Sequence, residues 1–105
     1  MLSVLWTDTA AEDLRSIVEP LARESPSAAS QALARIEARA SRLRSLPRRG
    51  RIVPELAEHG IRSYRELIAA PWRIVYRIEG DKAWALAVLD ARRSLEDLLL
   101  DRFLR

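Results

Sequence analysis

Arginines on expected strands are the residues of this chain best placed to do chemistry. In Trp72-Arg73-Ile74-Val75-Tyr76-Arg77 and in Tyr64-Arg65-Glu66-Leu67 they sit in mid-strand, and Arg92-Arg93 closes another apolar run. A guanidinium carried by a strand can be aimed, and it stays protonated near neutral pH. It therefore suits recognition of phosphate or carboxylate and is a poor proton shuttle. The candidates for moving a proton beside these arginines are Tyr64, Tyr76 and Asp90, and there is a single histidine, His59. His59 lies in a turn-like Glu-His-Gly context and is expected in solvent. With one histidine and no cysteine, neither a zinc site nor a disulfide is expected, nor any other cofactor, which suits a reducing cytoplasm.

The 105 residues fit one domain, 1–105, and 49% hydrophobic content with a net charge of +3 argues for a folded globule. The charge is uneven. Between Arg35 and Arg77 there are eleven arginines and four acids, a local +7 against −4 for the remainder. One face is thus expected to meet an anionic partner. No apolar run approaches the roughly 18–20 residues of a membrane span. The opening Met1–Trp6 lacks a basic lead, so no signal peptide is read there, and the chain is expected to act in the cytoplasm.

The elements that must position the arginines follow from periodicity. Ser3–Trp6 reads as a short strand. Thr9-Ala-Ala-Glu12 matches a capping box, and Ala10, Leu14, Ile17, Val18 and Leu21 follow at helical spacing over 9–24, with a kink or early stop expected at Pro20. Ser25-Pro26 restarts a helix whose apolar stripe is Ala29, Leu33, Ile36, Ala40 and Leu43, ending before Pro47. Arg35, Arg39 and Arg42 lie on another face of it. The Glu24–Ser27 connection makes the two helices an antiparallel hairpin. Pro47 through Gly60 reads as an irregular connection. Three strands follow, around 62–68, 72–79 and 82–90, the last two joined at Gly80-Asp81. Ser94-Leu-Glu-Asp97 caps a last helix with Leu95, Leu98, Leu99 and Phe103 inward. Alternation puts Trp72, Ile74, Tyr76 and Ile78 on a helix-packed face and Arg73, Val75, Arg77 and Glu79 opposite. On the next strand Trp84, Leu86 and Val88 oppose Ala83, Ala85 and Ala87. The fold class is α+β: an N-terminal strand and helical hairpin on an antiparallel sheet of three to four strands, with a short C-terminal helix.

In order and spacing, Pro47-x-x-Gly50-Arg51-x-Val53-Pro54-Glu55, Arg65-Glu66-Leu67, Trp72–Arg77 and Val88-Leu89-x-x-Arg92-Arg93 resemble the RelE/ParE superfamily of toxins from type II toxin–antitoxin operons. The resemblance covers nearly the whole chain. It implies a toxin neutralised by a cognate antitoxin in a hetero-oligomer, with one of two targets. RelE-like members cut messenger RNA on the ribosome, and ParE-like members poison DNA gyrase. By position, Arg65, Arg73 and Arg93 (or Arg92) fall where RelE-like proteins carry basic and phosphate-binding residues, and these are the catalytic candidates if the chain is a nuclease. Arg65, Arg73, Arg77, Arg92 and Arg93 are the expected target-binding set.

Two departures decide between the targets. A strand lysine of the nucleases corresponds to about Leu67, and their C-terminal aromatic base to about Leu98 or Leu99. Asp90 stands where many relatives have histidine, and beside arginines it reads as a structural ion partner. Cleavage by a 2′-hydroxyl needs a proton acceptor and a donor, and arginine supplies neither. The expected activity is therefore gyrase inhibition; mRNA cleavage on the ribosome and a non-toxic nucleic-acid-binding domain are the alternatives. For the antitoxin, two surfaces are expected: the helical hairpin around Leu14, Leu21, Leu33 and Ile36, and the C-terminal helix with Leu95, Leu98 and Phe103. No membrane partner is expected.

Overall fold

Thr7, rather than Thr9, starts the first helix. In the computed structural model, which describes residues 1–92 and 95–103, the Thr7 hydroxyl accepts the Ala10 N–H at 3.1 Å. Helix α1 runs Asp8–Glu24 and continues through Pro20. The capping box expected from Thr9 loses to Thr7 because Thr7 also leaves β1 (Ser3–Trp6) in an extended conformation suited to a cap. Thr7→Ala is accordingly expected to cost about 1 kcal/mol in urea unfolding, and Thr9→Ala less than about 0.5 kcal/mol. Ser25 alone joins the helices. Its N–H closes α1 on the Leu21 carbonyl at 2.7 Å, and its hydroxyl accepts the Ala28 N–H of α2 (Pro26–Ser41) at 3.2 Å.

A 3₁₀ turn at Arg42–Arg44 leads into what the sequence reads as an irregular connection. It contains two short elements, β2 (Arg51–Ile52) and α3 (Pro54–Ala57). Neither is long enough to show a period. Strands β3 (Arg65–Ala69), β4 (Trp72–Glu79) and β5 (Lys82–Asp90) follow, then helix α4 (Glu96–Phe103). The expected cap at Ser94 lies outside the described residues. Gly80 opens the β4–β5 hairpin with φ at +59°, as a first turn position with glycine requires.

The α+β plan holds, with a wider sheet than expected. Five strands are ordered β1-β5-β4-β3-β2, and β1 runs parallel to β5 while the other pairings are antiparallel. The helical hairpin carries the chain away from β1, so β1 closes the far edge beside β5.

On one face, Trp72, Ile74, Ala85 and Val88 pack under Ala10, Ala32 and Ile36 of the helical hairpin. Tyr76 and Ala83 extend that layer beneath Leu43. Strand β4 keeps its alternation, but β5 does not. Val75 pairs with Ala87 and Tyr76 with Ala85, which leaves Leu86 as the extra residue of a β-bulge. Past the bulge the faces exchange, so Val88 joins the alanines under the helices and Ala87 faces away.

The face opposite the helical hairpin is packed as well. Val53, Leu56, Val75, Ala87, Leu89, Leu95 and Leu99 form a second core beneath α3 and α4. Burying each leucine or valine of this layer contributes about 1.5–3 kcal/mol, which holds two short helices that could not stand alone.

Candidate functional site

Arg73 is enclosed rather than aimed outward. It shares a sheet face with Glu66, whose strand partner is Val75, and α3 begins over that face with Pro54-Glu55. Nη1 and Nη2 of Arg73 donate to the two Glu55 oxygens at 2.6 and 2.7 Å. Nε donates to Glu66 Oε1 at 2.6 Å, and the second Glu66 oxygen takes Arg51 Nε at 2.6 Å. Arg73 is 6% exposed and Glu66 1%. The four side chains tie β2, β3, β4 and α3 together. Each side of the Arg73 guanidinium meets a carboxylate, so an anionic partner would have to compete with Glu55 and Glu66 for it.

The hydrogen bonds that Arg73 donates hold the Glu55 carboxyl below the usual carboxylate range, and acceptance by Glu55 foremost, then by Glu66, raises the Arg73 pKa. A carboxyl depressed in the folded state contributes stability above its unfolded value of about 4.3 and loses it as pH falls towards the folded value. Thermal melts between pH 5 and 3 are therefore expected to fall more steeply for the native chain than for Glu55→Gln.

Tyr76 is the second fixed point. Its hydroxyl donates to the Pro47 carbonyl at 2.7 Å and accepts the Gly50 N–H at 3.1 Å. Arg65 Nη1 donates to the Gly50 carbonyl at 2.8 Å. Burial pushes the Tyr76 pKa up, so the hydroxyl is a poor source of phenolate near neutral pH. Tyr76 faces the core, as alternation expects, and Arg65 is half-buried.

The remaining arginines of the expected set do not converge with these. Arg77 is exposed, lies 5.8 Å over the Tyr64 ring and has Nε 3.5 Å from Glu79. Four residues along β4 separate it from Arg73, about 13 Å. Tyr64 packs on Phe103 with ring centroids 4.7 Å apart, and Trp84, Leu86 and Thr7 complete a cleft of about 350 Å³ there. Arg92, at the other end of β5, forks onto Asp90 at 3.0 and 2.9 Å, so Asp90 is an ion partner. Arg93 lies outside the described residues.

The expected antitoxin contacts divide by burial. Ile36 is 0% and Leu95 4% exposed, so both are core, while Leu98 is 37% exposed and points outward instead of inward. Leu14 and Leu33 line a groove between α1 and α2 with Trp6 and Val18. Leu21 and Leu98 line a larger one, about 700 Å³, between α1, the ends of β4 and β5, and α4. Phe103 is half-buried. Sequence reasoning missed the polar floor of the large groove. Asp13 accepts both Arg102 guanidinium nitrogens at 2.8 and 2.9 Å and the Val88 N–H at 3.1 Å, pinning α4 to α1 and β5. The available signal was an acid within the apolar stripe Ala10, Ile17, Leu21.

Among the described residues no group of acids and histidines could hold a metal ion, and no helix is long and apolar enough to cross a membrane. A search of curated proteins finds no match. Among solved structures, the chain is similar to the chromosomal ParDE toxin–antitoxin system from P. aeruginosa, with 24% identity and a TM-score of 0.70 over 86% of this chain and 96% of that one. That likeness supports the fold. Residues 4–95 match the family described as the ParE toxin of the type II toxin–antitoxin system parDE. The chain belongs to the ParE toxin family of type II toxin–antitoxin systems.

Proposed function

We propose that this toxin acts by binding DNA gyrase rather than by cutting RNA, and that a cognate antitoxin holds it in a hetero-oligomer. The saturation of Arg73 by Glu55 and Glu66 carries the proposal. The arginine that a RelE-like nuclease would turn to phosphate is spent on structure here. Tyr76 is likewise occupied in both directions, and Leu98 and Leu99 supply no base. What remains for a protein target is surface recognition, through Arg77, Arg92, Arg93 and the half-buried Arg65. Leu14, Leu21, Leu33, Leu98 and Phe103 are the residues left for an antitoxin, since they line grooves or are partly exposed.

The test is a pair of assays on the purified chain. Supercoiling by DNA gyrase is expected to stop in its presence and to recover on adding the antitoxin, while messages on programmed ribosomes stay whole. Cut transcripts would replace this reading with ribosome-dependent endonuclease activity. Normal growth on expression of the chain alone would point to the non-toxic alternative.

A further inference from the structure

Helix α2 and its C-cap residue Arg42 carry arginines on one flank. At about 100° per residue, Arg35, Arg39 and Arg42 fall within about 60° of one another and to one side of the buried Ala29, Ile36 and Ala40. Arg35 Nη2 donates to the Ala70 carbonyl at the end of β3, which fixes that flank beside the sheet edge. Glu37 is on the other flank, with Leu14 and Leu33 towards α1.

The chain then continues from Arg42 through two tight turns. Leu46 N–H bonds the Arg42 carbonyl at 3.0 Å, and Arg49 N–H bonds the Leu46 carbonyl at 3.2 Å. Tyr76 holds Pro47 and Gly50 from below, and Arg48 lies close enough to lower the Tyr76 pKa electrostatically. Arg39, Arg42, Arg44, Arg48 and Arg49 are all exposed. Among the described residues none of these five has a carboxylate partner, whereas Arg15, Arg51, Arg73, Arg92 and Arg102 each have one.

We infer that these five arginines form a binding surface for the phosphodiester backbone of duplex nucleic acid. A protein partner would want a desolvated apolar centre with aromatic anchors. Among the described residues the surface offers no aromatic side chain, and Leu46, 49% exposed, is its one large exposed apolar residue. Single strands would want stacking rings, which are missing for the same reason. A run of unpaired guanidiniums on a fixed scaffold instead matches closely spaced phosphates, each of which can take a bidentate contact. The surface is separate from Arg77 and Arg92, so its failure and that of the gyrase reading are independent.

The test is fluorescence anisotropy of the full chain, without gyrase, on 20-base-pair DNA and RNA duplexes and on a poly-glutamate peptide, across 50–200 mM salt. For about five phosphate contacts, log K against log salt is expected to slope at about −4 to −5. R39Q/R42Q and R48Q/R49Q are each expected to flatten it by about 2 and to weaken binding about tenfold or more at 100 mM salt. R15Q/R23Q, the same charge change on α1, is expected to leave the slope within about 0.5 of native. Duplex should also protect the five arginines from phenylglyoxal in the native chain, which tests the surface without substitution. Tighter binding to one duplex names DNA or RNA as the source, and equal binding supports recognition of the shared backbone. No binding at 50 mM salt, equal losses in R15Q/R23Q, or tighter capture of poly-glutamate would each overturn the inference.

Discussion

Arg73→Ala is expected to lower the unfolding free energy by about 3–5 kcal/mol, the usual cost of removing one partner from a buried ion pair. The loss comes mainly from Glu66. Glu55 keeps about a quarter of its side chain in contact with solvent and can rehydrate, but the Glu66 side chain has none. Without Arg73, Glu66 keeps Arg51 alone, which is itself 60% exposed and weakly held. Arg73→Lys should fall between, because one ammonium cannot reach both carboxylates in the directions that a guanidinium fork covers. Urea unfolding of the three chains measures this, and a loss under about 1 kcal/mol for Arg73→Ala would mean that the cluster is not structural. The result bears on any functional assay. An Arg73 variant without toxicity reports loss of folded protein before it reports loss of a contact, so toxicity should be compared at equal folded amounts.

Those energies explain why the sequence pattern located Arg73 but not its role. Alternation along Trp72–Glu79 put Arg73 on the correct face, away from the helical hairpin. What covers that face is set by α3, four residues long, and α4, whose packing depends on distant partners. Helices that short carry too little periodicity to show where they dock. The alanine row on β5 had the same fate, since a single extra residue at Leu86 exchanges Ala87 and Val88 between faces without any mark in composition. Helix α2, with Ser25 as cap and Pro26 at its start, was legible because its signals are local. Thr7 against Thr9 was not, since both offer a hydroxyl and tertiary context chose. The ion pairs Glu55–Arg73 and Asp13–Arg102 span 18 and 89 residues, beyond any local pattern.

Gly50→Ala is the second change expected to be severe. A Cβ there would stand 2.4 Å from the Glu66 carbonyl oxygen and 2.6 Å from the Tyr76 hydroxyl. The hydroxyl belongs to a buried ring and the carbonyl to a central ladder, so neither can retreat cheaply. The loop must withdraw instead, at about 1–3 kcal/mol for overpacking and about 1 kcal/mol more for each hydrogen bond that Gly50 loses to Tyr76 and Arg65. Removing the hydroxyl with Tyr76→Phe relieves one clash and leaves two intact, with the carbonyl and with the ring Cε1 at 2.7 Å. The double variant should therefore be less destabilised than the sum of the singles, yet well below native, in a double-mutant cycle by urea unfolding. Additive losses would mean that the two groups do not meet. Because Pro47 and Gly50 bracket Arg48 and Arg49, withdrawal of the loop also moves those arginines off their anchor. Gly50→Ala should then flatten the salt slope of duplex binding while the arginines are all still present, which separates their placement from their charge.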